Sequence, residues 1–398
     1  MIYLGIVSMI VAMGVTSVLT PSVIRLAHRL GAMDLPGGRK THGGPIPRIG
    51  GVAVFFGFVA GLGAAALLAG FLLEPMQVHV YWPGLVIAAT VIFLVGLADD
   101  LWGLRYYWKF AAQIVCAVYV WNSGFRVDLI TQPIGGSTEL GWLSLPITVL
   151  WIVGITNAVN LIDGLDGLAV GTALITTLAT AVIAVAMKNL GVAAACVALA
   201  GSLIGFLRYN FNPAQIFLGD SGSMFLGFVL AVASARGSQK LPTAVVILVP
   251  LLVLALPLID TGLAVVRRLY RLSHHGYESD RRARYVLRNL NHVFLPDRDH
   301  IHHRLIDSGL SHRGAVLVLY GVALASALVA FVLTFVNSRE IGFLLLGVLV
   351  GTMAALLAVL YFRVGRVEQA VDGTADSDPG PPGGDETWDP PRRQAPSR

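Results

Sequence analysis

The sequence predicts an all-α, polytopic integral membrane protein with about eleven transmembrane helices, its N-terminus outside and its C-terminus in the cytoplasm. Three observations carry that prediction. The 398 residues are 56% hydrophobic and only 13% charged, with a mean hydropathy of +0.73, well outside the balance of a soluble globular chain. The apolar residues gather in runs near the ~20 residues that cross a hydrocarbon core of ~30 Å as a helix. The basic residues sort by side. If the loops after the odd-numbered spans and the C-terminal tail face the cytoplasm, those segments hold 23 of the 28 Lys and Arg, as the positive-inside rule requires.

In chain order the spans are read at 2–20, 51–73, 81–98, 108–122, 143–159, 167–187, 190–207, 222–235, 242–266, 314–336 and 341–362. Those starting at 108 and 222 are the shortest. The first has no basic residue ahead of it and no clear small-residue cleavage site, so it reads as an uncleaved helix. Cys116 and Cys196 fall inside spans and read as small core residues, with no disulfide or metal spacing between them. Interrupted segments do not recur in matching halves, unlike a transporter built from repeats. From Gly365 onward the chain is rich in Pro, Gly and acid, with Trp388 almost its only apolar residue. The expected domains are therefore a membrane domain, 1–363, and a disordered cytoplasmic tail, 364–398. The net charge of +5 is accounted for by topology and contact with a lipid bilayer; no nucleic-acid partner is expected.

Six aspartates, Asp99, Asp100, Asp163, Asp166, Asp220 and Asp260, stand at the ends of apolar segments, and the span count puts all six on the cytoplasmic face. A carboxylate at mid-bilayer costs roughly 2.5 to 3.5 kcal/mol, so a one-sided cluster calls for a function. Asp99-Asp100, followed by Arg105, Lys109 and Gln113, are adjacent carboxylates that repel, and at least one needs a cation, a metal or a proton. At a helix C-terminus they also oppose the macrodipole. The hinge Asn157-Ala-Val-Asn160-Leu-Ile-Asp163-Gly-Leu-Asp166-Gly167 is the most concentrated polar piece and reads as a site for a metal and a phosphate. In the loop from Arg208 to Ser223, Gly219 and Gly222 let backbone approach a ligand. Asp220, just ahead of a helix, is placed to hold a divalent cation, and the amide oxygen of Asn160 would complete a sparse Mg²⁺ shell. The first cytoplasmic loop carries Arg39, Lys40 and Arg48 among Pro45, Pro47, Gly50 and Gly51, a shaped cationic loop suited to pyrophosphate or lipid phosphate.

The loop from 267 to 313 is the most basic. Val286, Leu290, Val293 and Phe294 recur at helical spacing with Arg281, Arg284 and Arg288 off that face, an amphipathic helix for the inner leaflet. It leads into Asp297-Arg-Asp-His300-Ile-His302-His303-Arg304. No Cys partner or HExxH spacing supports zinc, and beside arginines the histidines read as donors to phosphate.

Together, Gly96 to Asp100, Asn157 to Gly167, Asn210 to Gly222 and Asp297 to Arg304 resemble the motifs of the polyprenyl-phosphate N-acetylhexosamine-1-phosphate transferases. The resemblance covers about residues 30 to 310. The His-Ile-His-His run is similar to the branch acting with undecaprenyl phosphate and UDP-GlcNAc in O-antigen, enterobacterial common antigen and teichoic acid synthesis. The phospho-N-acetylmuramoyl-pentapeptide transferases usually have a plain triple His there. The resemblance implies Mg²⁺, with Mn²⁺ as a substitute, at Asn160 and Asp220, and catalytic roles for Asp99, Asp100 and Asp163. It implies substrate contacts from Asn157, Asp166, Asn210, His300, His302 and His303, beside which the cations Lys40, Arg48, Lys109 and Arg304 are read from their charge as substrate-binding. The implied partners are a UDP-N-acetylhexosamine, undecaprenyl phosphate and the bilayer of the plasma membrane, and a homodimer is compatible with it. One departure is the stretch from Arg271 to Leu295, longer than that family's spacing. A cation-coupled transporter, the alternative from another class, would place its acids near mid-membrane rather than at helix ends.

Overall fold

In a computed structural model of the chain, the described residues are 2–35, 44–72, 82–131, 137–237, 305–306 and 308–335, with single positions at 258, 344, 347, 348 and 351. Among them are nine α-helices: α1 (Ile2–Leu30), α2 (Gly51–Leu72), α3 (Trp82–Trp102), α4 (Tyr106–Asn122), α5 (Ser144–Ile162), α6 (Leu168–Ala186), α7 (Leu190–Asn210), α8 (Gly219–Gly237) and α9 (His312–Phe335). Two short antiparallel pairs accompany them. β1 (Met33–Asp34) lies on β2 (Ile46–Pro47) with Met33 opposite Pro47, and β3 (Leu129–Thr131) lies on β4 (Ser137–Glu139) with Ile130 opposite Thr138. The helices match the first eight expected spans and the tenth. The expected spans at 242–266 and 341–362, and the tail, lie outside the described residues apart from the single positions. Seven of the nine are long and apolar enough to cross a membrane; α4 and α8 are the other two.

α1 and α3 outrun their expected ends the furthest. α1 continues past residue 20 through Pro21 to a last turn holding His28 and Arg29. Proline has no N–H, so the carbonyl of Ser17 loses its helical donor; the Tyr209 hydroxyl of α7 donates to it at 3.1 Å, which is how an apolar bundle tolerates the residue. α3 takes Asp99 and Asp100 into its last turn and stops at Gly103, whose φ of +69° is the left-handed C-terminal signal.

Close approach through small residues builds one side of the bundle. α1 packs on α2 and α7. A Cβ at Gly57 or Gly61 of α2, or at Gly201 or Gly205 of α7, would strike α1. With lipid as apolar as leucine, such seams are held by packing and hydroxyls rather than by hydrophobic drive. Here Ser8 donates to Gly61 O at 2.8 Å, Ser202 donates to Val54 O at 2.6 Å, and Thr16 and Ser202 share a bond at 2.9 Å.

α8 is the axis. It packs against α2, α3, α5 and α6, and every residue from Ser221 to Ala235 is buried, as expected of a helix that is apolar on all sides. Phe225 sits edge-on to Phe55 and Phe58, and Trp151 of α5 donates to Ala231 O at 3.2 Å. The N-terminal end of this axis is where the polar segments meet.

Candidate active site

Six segments converge there. The chain entering α2 pairs with the chain entering α8: Phe217 donates to Pro47 O at 2.8 Å, Gly50 to Phe217 O at 3.0 Å and Gly51 to Leu218 O at 2.8 Å. The ends of α3, α5 and α7 and the start of α9 close the same region. Asp99, Asp100, Asp163, Asp166 and Asp220 are therefore at one end of the bundle. Lys40, Asp260, His300, His302, His303 and Arg304 lie outside the described residues.

The adjacent aspartates part company, because neighbouring helical positions point about 100° apart. Asp100, 5% exposed, accepts from the backbone N–H of Asp220 at 2.8 Å and of Ser221 at 2.9 Å. It thereby caps α8 from another helix and meets the positive end of that helix dipole. Gly219 makes this possible: with φ of +74°, it lies where a Cβ would collide with Arg48 O and the Asp100 carboxylate. Both Asp100 oxygens are thus engaged in holding the first turn of α8. Asp99 instead accepts from Leu104 N at 2.6 Å and from Lys109 at 3.0 Å.

Lys109, in the first turn of α4, is the centre of charge. Its ammonium lies 3.0 Å from Asp99 Oδ2 and 2.8 Å from Asp220 Oδ2. The other Asp220 oxygen accepts from the Asn160 amide at 3.0 Å, and that amide also donates to Ser223 Oγ at 2.8 Å. One turn further along α4, the buried Gln113 forms a reciprocal amide pair with Asn157, at 2.6 and 3.4 Å, while Asn157 also donates to Val153 O at 2.7 Å. Asn157 and Asn160 share a face of α5, so one residue braces α4 and the other reaches α8.

The hinge between α5 and α6 is tied to the loop between α7 and α8. Asp166 accepts from the Asn212 side chain at 2.9 Å and from Ala214 N at 3.0 Å. Asp163 has no side-chain hydrogen-bond partner among the described residues; burial pushes its carboxyl up to about 8, and the charges of Asp220, Asp100 and Asp166 act in the same direction. Asn210 is buried; its amide donates to Ile216 O at 2.9 Å. Its Oδ1 and the Arg48 Nε are buried without a partner among the described residues, polar atoms that a bound group would satisfy.

The donor set suits Mg²⁺. Among the described residues no three His, Cys, Asp or Glu gather as a cage. Mg²⁺ does not need one: it takes one or two carboxylates, keeps waters and accepts substrate phosphate oxygens. Asp220 offers one carboxylate, held now by the Lys109 ammonium. The Asn160 side chain is already against it, and a rotated amide would present oxygen to the same place.

Five contributors escaped sequence reasoning in these roles. Gln113 is legible only as a polar residue one turn beyond Lys109, and Ser223 only as part of a Gly-Ser run. His312, Arg313 and Tyr320 belong to α9, whose start is signalled by Ser311, the cap that accepts from Gly314 N at 3.1 Å; nothing local signals their partners. His312 Nε2 accepts from Asp166 N at 3.0 Å, Arg313 Nε donates to Asn212 O at 3.1 Å, and Tyr320 donates to Gly167 O at 2.6 Å.

Known proteins share this arrangement of sequence. The model of glycosyl transferase family 4 matches residues 82–238, the stretch from α3 to α8 that supplies every described aspartate of the cluster. The chain is 38% identical over 329 residues to a probable undecaprenyl-phosphate N-acetylglucosaminyl 1-phosphate transferase of Bacillus subtilis, covering 82% of this chain and 84% of the relative. It is 35% identical over 375 residues to the decaprenyl-phosphate N-acetylglucosaminephosphotransferase of Mycobacterium tuberculosis, covering 88% and 87%. A phospho-N-acetylmuramoyl-pentapeptide-transferase of Desulforudis audaxviator is 36% identical over 304 residues, 67% of this chain and 88% of the relative. With likeness of this extent over most of both chains, and with the cluster inside the matched segment, the chain belongs to glycosyl transferase family 4.

Proposed function

We propose that the chain transfers N-acetylglucosamine 1-phosphate from UDP-N-acetylglucosamine to undecaprenyl phosphate at the cytoplasmic face of the plasma membrane, releasing UMP. The observation that carries the reading is the Lys109 ammonium between Asp99 and Asp220 at the polar end of an apolar bundle. A polyprenyl tail can stay in lipid there while a nucleotide stays in water. The names of the Bacillus and Mycobacterium relatives support the acceptor class and the sugar.

The bond changes balance without another reactant. An oxygen of the acceptor phosphate bonds to the β-phosphorus of the donor. The bond from that phosphorus to the bridging oxygen breaks, and its electron pair leaves with UMP. Asp99 is placed to take or orient the acceptor's proton, and Lys109 is placed to neutralise phosphate as the two anions approach. Asp220 and Asn160 would hold Mg²⁺, or Mn²⁺ in its place, which when bound supplies positive charge opposite the pyrophosphate. Asp163 and Asp166 line the donor side of the site, and Arg48 adds a cation from the first loop.

The test is direct. Full-length protein in detergent with UDP-N-acetylglucosamine, undecaprenyl phosphate and Mg²⁺ should release UMP and not UDP. Because one phosphoanhydride is exchanged for another, labelled UMP should return to the nucleotide sugar when lipid product is present. Release of UDP would refute attack at phosphorus. The likeness to the Desulforudis protein favours a second reading, transfer of a phospho-muramoyl-pentapeptide; turnover of that donor and not of UDP-N-acetylglucosamine would select it.

A further inference from the structure

α9 lies outside the matched segment, yet its first three turns send three side chains into the two loops of the donor side. All three meet backbone: His312 at Asp166 N, Arg313 at Asn212 O and Tyr320 at Gly167 O. The Asp166 carboxylate joins the same two loops through Asn212 and Ala214. The bonds therefore close a circuit that runs from α9 to the hinge, from the hinge to the α7–α8 loop, and back to α9. Room has been left for it. A Cβ at Gly171 of α6 would overlap the Tyr320 ring, and Gly167 keeps φ at +80° where it receives the hydroxyl.

Helix packing alone does not require these contacts. α9 packs on α6 through apolar residues, and apolar packing in lipid leaves rotation and sliding weakly determined. Hydrogen bonds to backbone determine both, because a backbone group is displaced only by moving the chain. His312 has a specific demand besides: to accept from an N–H it must present an unprotonated Nε2.

We propose that α9 is a strut that sets the spacing between the hinge at 163–167 and the loop at 211–218, with His312 as a positioning residue for the donor nucleotide. It acts through Asp166 and touches no reacting atom. The kinetic consequence rests on the transferase reading above; the structural consequence does not.

The experiment has two arms on the full-length protein. In the first, His312→Ala should raise KM for UDP-N-acetylglucosamine about tenfold, the worth of one hydrogen bond that would otherwise leave a part-buried N–H unpaired. KM for undecaprenyl phosphate should stay where it is, and kcat should change less than the donor KM. His312→Gln, whose Oε1 can accept from the same N–H, should bring the donor KM back to within about threefold. In the second arm, amide hydrogen exchange without substrate should quicken at 163–167 and 211–218 in His312→Ala, and at 163–167 in Tyr320→Phe, which keeps the ring and deletes only the hydroxyl. Unchanged exchange in both variants would overturn the strut. Failure of Gln to rescue while exchange is restored would overturn the positioning role of His312. If the wild type turns over no donor, the transferase reading fails while exchange still decides the strut.

Discussion

Replacing Lys109 by Met removes the cation that, among the described residues, lies between two carboxylates, while keeping most of the side-chain volume. At an effective dielectric of about 20, a unit pair near 3 Å is worth roughly 5 kcal/mol before desolvation is set against it. Breaking a buried pair by deleting one partner typically costs about 3 to 5 kcal/mol. The three side chains are 15 to 27% exposed, so water screens part of this, and a loss of about 2 kcal/mol is the expected size. Lys109→Met in detergent without Mg²⁺ should therefore melt several degrees below the wild type, and turnover should fall sharply. Added Mg²⁺ should raise the melting temperature more in the variant than in the wild type, since Asp220 no longer has an ammonium in contact. Equal melting temperatures without Mg²⁺ would refute the idea that Lys109 holds the carboxylates together. A smaller Mg²⁺ effect in the variant would refute the placement of the metal at Asp220.

Four other outcomes follow. Asp220→Asn should insert and fold but lose Mg²⁺-dependent turnover, measured as UMP release. Asp99→Asn should lower kcat by about 10² to 10⁴, the usual contribution of a general base, with donor binding by calorimetry nearly unchanged. Gly219→Ala forces a Cβ against Arg48 O and Asp100 at positive φ; a loss of about 1 to 3 kcal/mol, as expected for strained backbone, should appear as a lower melting temperature with α8 frayed at its start by amide exchange. Asp163 holds its proton more tightly when folded than unfolded, so its contribution to stability is complete below the ordinary carboxylate range near 4 and is lost as pH rises through about 8. Without Mg²⁺, the wild type should lose more thermal stability between about pH 6 and pH 9 than Asp163→Asn does.

Helix positions were legible because hydropathy is a local signal, and even the short spans at 108 and 222 are helices. The gathering of five aspartates at one end was legible too, since odd and even spans alternate faces. What escaped was pairing. Asp100 finds its partners 120 and 121 residues away, and His312 finds Asp166 at 146; no periodicity records which backbone N–H a carboxylate or imidazole will meet. The sequence treats Asp99 and Asp100 as one repelling pair, whereas helix rotation sends one to a lysine and the other to a helix terminus. The end of α1 was missed: the expected span closes at residue 20, and the donor that lets the helix continue past Pro21 is Tyr209, far along the chain.

The enclosure of α8 bears on how the protein meets membranes of different thickness. Hydrophobic mismatch acts where lipid touches protein, and it is relieved by tilting helices or thinning the bilayer at a cost of fractions of a kcal/mol per Å. The exposed faces of α1 and α4 are open to that pull, whereas α8 is buried from Ser221 to Ala235. The depth of Asp220 is therefore set by α2, α3, α5 and α6 rather than by the acyl chains. Reconstitution in short- and long-chain lipids should shift the outer helices while the distance from Asp220 to Asn160 stays the same.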